Sequence, residues 1–185
     1  MRLTAGGDTA AFKKLVGRYE KAVLNFAYRF LGSREEAEDT AQEVFLRVYN
    51  SAKTYRPEAQ FATWLFRVAT NVCLNELRLR KRFQVVPLDS TAEGPEKGSL
   101  RDLSAPDAIR PDTHLEQKEL NRIIMEAISA LPPNQRLAVI LKRFERLSYQ
   151  EIAEVLEVSV SAVESLLFRA KQTLRKKLGP YVQDE

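Results

Sequence analysis

The sequence predicts an all-α protein: two small helical domains joined by a flexible linker, the C-terminal one containing a helix-turn-helix. Three observations carry that expectation. Apolar residues recur at helical spacing along most of the chain, and no convincing run alternates in the manner of a strand. Between residues 83 and 113 this periodicity gives way to Pro87, Pro95, Pro106 and Pro111, two glycines and an acidic excess, the composition of a linker. Near the C-terminus a short helix, a tight turn and a second helix follow in close succession. The chain has 185 residues, enough for two modest cores, since helical domains of well under about 100 residues fold. The expected units are therefore 1–82, the linker 83–113, and 114–185.

Taken in order, Asp8 is placed to cap a helix from Thr9 to about Leu31, which Gly32 ends. Ser33 with Glu36 forms a capping-box pattern and opens a second helix to about Tyr55, before Pro57 breaks the periodicity. A third helix runs from about Phe61 to Arg82. Beyond the linker, helices are expected at about Leu115–Ala130, Pro133–Arg146, Tyr149–Leu156 and Val160–Leu178, with Gly179-Pro180 stopping the last. There is no internal repeat.

Basic residues exceed acidic ones by 29 to 25, and a pI near 9.2 favours an anionic partner without requiring one. The distribution is uneven: net +6 over residues 1–82, −3 over 83–113 and +1 over 114–185. The lone Cys73 rules out an internal disulfide, and with His114 the only imidazole there is no ligand set for a structural zinc. No apolar run approaches the roughly 20 residues of a membrane span. The N-terminal residues lack the apolar core of a signal peptide, so a soluble, cytoplasmic protein is expected. The residues form no pairing of nucleophile and base, no phosphate-binding glycine loop and no metal cluster; a non-enzymatic protein without cofactors is expected.

In the C-terminal part, Ser148 and Glu151 form a capping box, and Ile152, Val155 and Leu156 give the short helix an apolar side. Val158 is expected to plug the turn. Ser159 caps the next helix, where Val163, Leu166, Leu167, Ala170 and Leu174 form an inward stripe. Ser161, Glu164, Ser165 and Phe168 share another face, free to meet DNA, and the N-terminal end of such a helix is the part that reaches base edges in a major groove. Arg169, Lys171, Arg175, Lys176 and Lys177 supply cations for phosphates. Two details cut against the pattern. Glu157 occupies a turn position where glycine is favoured, costing about 1 kcal/mol if its backbone is left-handed. Glu164 puts a negative charge on the reading face, where it either accepts from cytosine N4 or complements the helix N-terminus. An apolar stripe alone is equally compatible with a plain helical hairpin.

The third helix offers a different chemistry. Arg67, Asn71, Asn75, Arg78 and Arg82 share one face, Trp64 extends it, and Arg80 and Lys81 thicken its end. Rings beside cations and amides suit unstacked bases. Tyr55 and Phe61 flank the Arg56–Gln60 loop as further stacking groups. The competing reading puts Trp64, Phe61 and Phe66 in a core and leaves Arg78–Arg82 as a solvated helix end. On the second helix Ala37, Ala41, Val44, Phe45 and Val48 point inward, while Glu35, Asp39, Gln42, Glu43 and Leu46 share the outer face. That acidic face repels DNA and suits a protein partner carrying a basic helix, or is an ordinary charged surface.

Three blocks, EDTAQEVFLRVY, FATWLFRVATNVCLNELR and LPPNQRLAVILKRFERLSYQEIAEVLEVSVSAVESLLFRAK, resemble bacterial RNA polymerase sigma factors of the extracytoplasmic-function (ECF) type. The resemblance spans nearly the whole chain and places sigma regions 2 and 4 in the expected order. It implies that Asp39, Gln42, Glu43 and Phe45 grip the clamp helices of the largest polymerase subunit. It assigns Tyr55, Phe61, Trp64 and Asn71 to capture of an extruded base of the minus-10 element. Arg78, Arg80 and Arg82 would then follow the adjoining backbone, and extrusion costs a few kcal/mol that stacking and edge contacts recover. Lys142, Ser159, Ser161, Ala162, Glu164, Ser165, Phe168 and Arg169 fall where region 4 meets the minus-35 element. The helices around Leu120–Ile128 and Leu137–Phe144 would hold the polymerase flap tip, the linker would thread toward the active centre, and an anti-sigma factor is the implied regulator. Glu164 and Leu166 stand where many relatives carry cations. The alternative function is a stand-alone helix-turn-helix regulator, against which the aromatic and basic Tyr55–Arg82 block argues; an anti-activator that occupies polymerase without promoter selectivity is a further alternative.

Overall fold

A computed structural model describes residues 1, 6, 8–56, 60–84 and 111–181. Among the described residues every regular element is helical, in two units whose order follows the chain. The first comprises α1 (Thr9–Leu31), α2 (Arg34–Asn50) and α3 (Phe61–Gln84). The second comprises α4 (Pro111–Ser129), α5 (Pro133–Arg143), α6 (Tyr149–Leu156) and α7 (Val160–Leu178), closed by a 3-10 turn at Gly179–Tyr181. The expected linker falls almost entirely on residues 85–110, outside the described residues, as does the loop at 57–59.

The helix starts follow from their caps. The Asp8 carboxylate accepts from the Ala11 amide at 2.9 Å, and the Ser33 and Ser159 hydroxyls accept from Glu36 and Ala162 at 3.3 and 3.2 Å. Ser33 makes only its own half of a capping box, because the Glu36 carboxylate turns instead toward Arg80 of α3, 3.6 Å away. Gly32 ends α1 at φ 81°, a conformation that costs glycine little.

Several ends differ from expectation. The second helix stops at Asn50 rather than near Tyr55, because the Ala52 and Thr54 amides bond back to Tyr49 and Ser51 in three-residue steps and Ala52 is buried. The helix α5 stops at Arg143 rather than Arg146, since Arg146 takes a left-handed backbone, φ 58°, that no α-helix continues. Helix α4 begins at Pro111, three residues inside the expected linker, where a first-turn proline loses no hydrogen bond. Val158 does not plug the turn: it stays 38% exposed, while Ala153 and Val155 of α6 are buried.

In the first unit Val23, Phe26 and Phe30 of α1 meet Val44 and Val48 of α2 and Leu65 and Val72 of α3, all essentially without solvent contact. In the second, Leu137, Ile140 and Leu141 of α5 pack with Ile152 and Val155 of α6 and Val163 and Ala170 of α7. Burying each such side chain favours folding by about 1.5–3 kcal/mol. The two units also touch. Helix α3 lies against α6 and α1 against α4 and α5, so the buried residues of both halves form one continuous cluster.

Arginines mark that contact. Arg136 on α5 donates to the Phe30 carbonyl at 2.7 Å and to the Ser129 and Leu131 carbonyls, with its guanidinium 5.4 Å from the Phe30 ring. Arg29 on α1 lies over the Phe144 ring at 4.2 Å and pairs with Glu145 at 3.7 Å. At the start of α3, the Thr63 hydroxyl donates to Glu151 of α6 at 3.3 Å.

Candidate nucleic-acid interface

Helix α6, the turn at Glu157 and α7 make the helix-turn-helix. Ser148 and Glu151 complete a full capping box: the Ser148 hydroxyl accepts from the Glu151 amide at 3.2 Å, and the Glu151 carboxylate accepts from the Ser148 amide at 2.8 Å. These bonds hold the Glu151 carboxyl below the usual carboxylate range. Glu157 is left-handed at φ 55°, ψ 45°, the condition under which a side chain at this turn position carries a cost. Its amide and that of Val158 both donate to the Ala153 carbonyl, closing a Schellman-type end.

On α7, Val163 and Ala170 are fully buried and Leu166, Leu167 and Leu174 half-buried, so the predicted stripe faces inward. The opposite face is open. Ser159, Ser161, Glu164, Ser165, Phe168 and Arg169 are exposed and Ala162 half-buried, with Phe168 at 63% exposure the most open of the large apolar side chains. The Ser159 and Ser161 hydroxyls lie 3.0 Å apart, and the Ser165 hydroxyl donates to the Ser161 carbonyl. Both interactions are local, leaving acceptor capacity outward. Lys142 of α5 lies by the start of α6, donating to the Leu147 carbonyl at 3.3 Å with its ammonium 4.9 Å from the Tyr149 ring.

In the first unit, the rings of Tyr55, Phe61 and Trp64 form a cluster around the start of α3. Tyr55 meets Trp64 at 4.8 Å and Phe61 at 6.0 Å, both edge to face, and the Phe61 and Trp64 rings are tilted to each other at 5.7 Å. All three are half-buried, so each packs on one side and presents a rim to solvent, and Phe61 and Trp64 are neither fully core nor fully exposed. Phe66, by contrast, is a core residue at 4% exposure. Arg67, Asn71, Asn75, Arg78 and Arg82 are exposed along α3, as their spacing required. Arg80 is half-buried and committed to Glu36.

The α2 surface needs one correction. Phe45 is 8% exposed and belongs to the core, held there by the same periodicity that buries Ala41, Val44 and Val48. The accessible apolar groups on α2 are Leu46, 59% exposed, and Tyr49, 44% exposed, beside exposed Asp39 and Gln42 and half-buried Glu43. Tyr49 escaped the sequence reading because Phe12, whose ring lies 5.0 Å away, comes from a different helix. Lys14, Arg18 and Tyr19 of α1 escaped it for the same reason: they border Phe61 only in three dimensions.

The second unit carries an open helix face on its helix-turn-helix, and the first an aromatic, amide-bearing and cationic face. Residues 15–83 match Sigma-70 region 2 and residues 121–174 match Sigma-70 region 4. The chain is thus a sigma factor of the sigma-70 class. It is 34% identical over 172 residues to the ECF RNA polymerase sigma factor SigW of Bacillus subtilis, covering 93% of this chain and 91% of that one. To the ECF RNA polymerase sigma-E factor of Haemophilus influenzae it is 35% identical over 177 residues, 94% of this chain and 90% of the relative. It belongs to the ECF sigma factor family. Its fold is shared with CnrH in complex with the cytosolic domain of CnrY, at TM-score 0.67 and 23% identity over 96% of this chain and 94% of that one. The sigma factor RpoE in complex with the anti-sigma factor NepR from Bartonella quintana also shares it, at TM-score 0.67 and 21% identity, over 91% and 97% of the two chains. Among the described residues no helix is long and apolar enough to cross a membrane, and no group of three or more potential ligands could hold a metal.

Proposed function

We propose that this ECF sigma factor directs core RNA polymerase by gripping promoter DNA at two points, with residues 1–82 and 114–185 acting as separate functional units. The observation that carries the reading is the open α7 face from Ser159 to Arg169, which lacks intramolecular cover at Ser161, Glu164, Ser165 and Phe168. This face, together with Lys142, enters the major groove of the minus-35 element. Tyr55, Phe61, Trp64 and Asn71 capture a base extruded from the minus-10 element, by stacking on the ring rims and by hydrogen bonds to the Asn71 amide. Arg78 and Arg82, with Arg80 behind them, follow the adjoining phosphates. Binding energy thereby drives strand opening, and the chain performs no chemistry of its own.

Asp39, Gln42 and Glu43 present the polymerase clamp helices with an acidic face, with Leu46 and Tyr49 rather than Phe45 as its apolar contacts. The helices α4 and α5 hold the flap tip. An anti-sigma factor in the cytoplasm is the implied regulator, and the solved relatives bound to CnrY and NepR support that reading.

In vitro transcription of genomic fragments with core polymerase tests the proposal, and sequencing of the start sites gives the promoter. Specific initiation is expected; duplex binding by the free chain with no initiation would instead establish the stand-alone regulator. Asn71→Ala and Tyr55→Ala should each lower open-complex formation about tenfold or more, a loss of one edge contact or one stacked ring, while core binding stays intact. Equal loss of core binding would overturn the assignment of these residues to base capture.

A further inference from the structure

The aromatic cluster does not end at Phe61. Across the gap between α3 and α1, the Tyr19 ring meets Phe61 edge to face at 5.2 Å, so the rings run as a chain from Trp64 and Tyr55 through Phe61 to Tyr19. A shallow groove beside Tyr19 and Phe61 is lined by Lys14, Leu15 and Arg18. Leu15 packs against the core and fixes the floor. Lys14 and Arg18 stand one helical turn apart on the rim, both exposed, and neither forms an ion pair among the described residues. The lining contains no carboxylate.

We infer that this groove is a second single-strand subsite, in which Lys14 and Arg18 hold successive phosphates of the opened DNA strand while one unstacked base lies against Tyr19 and Phe61. The inference rests on the base-capture reading of Tyr55, Phe61, Trp64 and Asn71 and extends it onto α1. Two properties select single-stranded DNA as the occupant. Unpaired cations beside ring surfaces match phosphates alternating with bases, whereas duplex DNA keeps its bases stacked and shows the rings nothing to pair with. The groove is also continuous through Phe61 with the proposed capture site, so a strand held there has its next nucleotides within reach. Half-buried rings at Tyr19 and Phe61 are already ordered, so stacking on them costs little side-chain entropy.

The test uses holoenzyme reconstituted from the full chain and core polymerase. The probe is a non-template single strand running through the minus-10 element of a promoter it transcribes. That strand carries 5-iododeoxyuridine at one position at a time; after irradiation the crosslinked peptides are mapped. Neighbouring positions should crosslink to the peptide holding Trp64 and to that holding Tyr19. Crosslinks to the Trp64 peptide with none to α1 would overturn the inference and leave the capture site standing; crosslinks to neither would sink both. In parallel, the K14A/R18A double variant should bind the same strand about tenfold more weakly. Its affinity should also fall less steeply with salt, the log-log slope being shallower by about 1.4 for two phosphates. The neighbouring Lys13→Ala change should leave the slope as it is, and thermal unfolding of all variants should match the parent. An unchanged slope in K14A/R18A would rule the groove out as a phosphate site.

Discussion

Glu157 carries a measurable cost for the turn it occupies. At φ 55° its Cβ crowds the following carbonyl, and a left-handed non-glycine residue costs about 1–2 kcal/mol. Glycine removes the crowding but gives back part of the gain in unfolded-chain entropy. Glu157→Gly is therefore expected to stabilise the protein by roughly 0.5–1 kcal/mol, raising Tm by about 1–4 °C for a chain of this size, whereas Glu157→Ala, which keeps a Cβ, should bring no such gain. Thermal unfolding followed by circular dichroism checks it. This strain was legible in the sequence because the flanking caps fixed where the turn must fall. Arg146, equally left-handed at φ 58°, was not: it ends a stretch from Pro133 that reads as uninterrupted helix, and no glycine, proline or asparagine marks the spot. Phe45 illustrates the opposite error, a residue whose helical position already placed it inward and whose family resemblance drew it outward.

Whole elements were easiest to place where a side chain caps the backbone. Asp8, Ser33, Ser148 and Ser159 each start a helix at the expected residue, because the cap bond is local and needs no tertiary context. Helix ends at Asn50 and Arg143 were misplaced, since they depend on where Ala52 and Leu147 become buried. Of the four caps, Ser148 has the most to lose: Ser148→Ala removes the hydroxyl that both accepts from the Glu151 amide and donates to its carboxylate at 2.7 Å. The expected cost is about 1 kcal/mol, read as a lower urea midpoint at unchanged m. The pH dependence has a definite sign. The Glu151 carboxyl is held below its ordinary range first by the Ser148 amide and then by its hydroxyl. Its contribution is therefore present above the unfolded value and lost as pH falls through the depressed one. Between neutral pH and pH 3, Ser148→Ala should lose less stability than the parent; an equal loss would mean that the hydroxyl does not stabilise the carboxylate.

At the scale of the whole molecule, the contact between the two units was the part the sequence concealed. Periodicity tells which face of a helix is buried, never against what, and Phe30 and Arg136 meet across 106 positions of the chain. That contact bears on function. In the proposed two-point grip the minus-10 and minus-35 elements lie apart along B-form DNA, which rises about 3.4 Å per base pair. A compact chain of 185 residues has a radius of gyration of about 16 Å. Units packed as α1 on α5 and α3 on α6 hold both proposed DNA faces on one compact body, so the proposed grip on two separated elements calls for the units to part. The interface contains a group suited to govern that parting. Burial pushes the Glu145 carboxyl up to about 7, only partly opposed by Arg29, and burial likewise lowers Arg29. Desolvation outweighs pairing on both sides, so ionised Glu145 destabilises the contact. When the units separate, Glu145 reaches water and returns to its ordinary value, near 4.5. A group whose pKa is raised in the packed state favours packing fully below that ordinary value and loses the advantage as pH rises to about 7. The free chain should accordingly open between pH 5 and pH 8, seen as a growing radius of gyration in X-ray scattering or falling energy transfer between dyes on α2 and α7. Glu145→Gln, neutral throughout, should stay packed at pH 8 and show no response in that window. If the variant opens with pH as the parent does, Glu145 is not the controlling group; if the parent stays packed at both pH values, ionisation of Glu145 does not part the units, and the partners must supply the energy of opening.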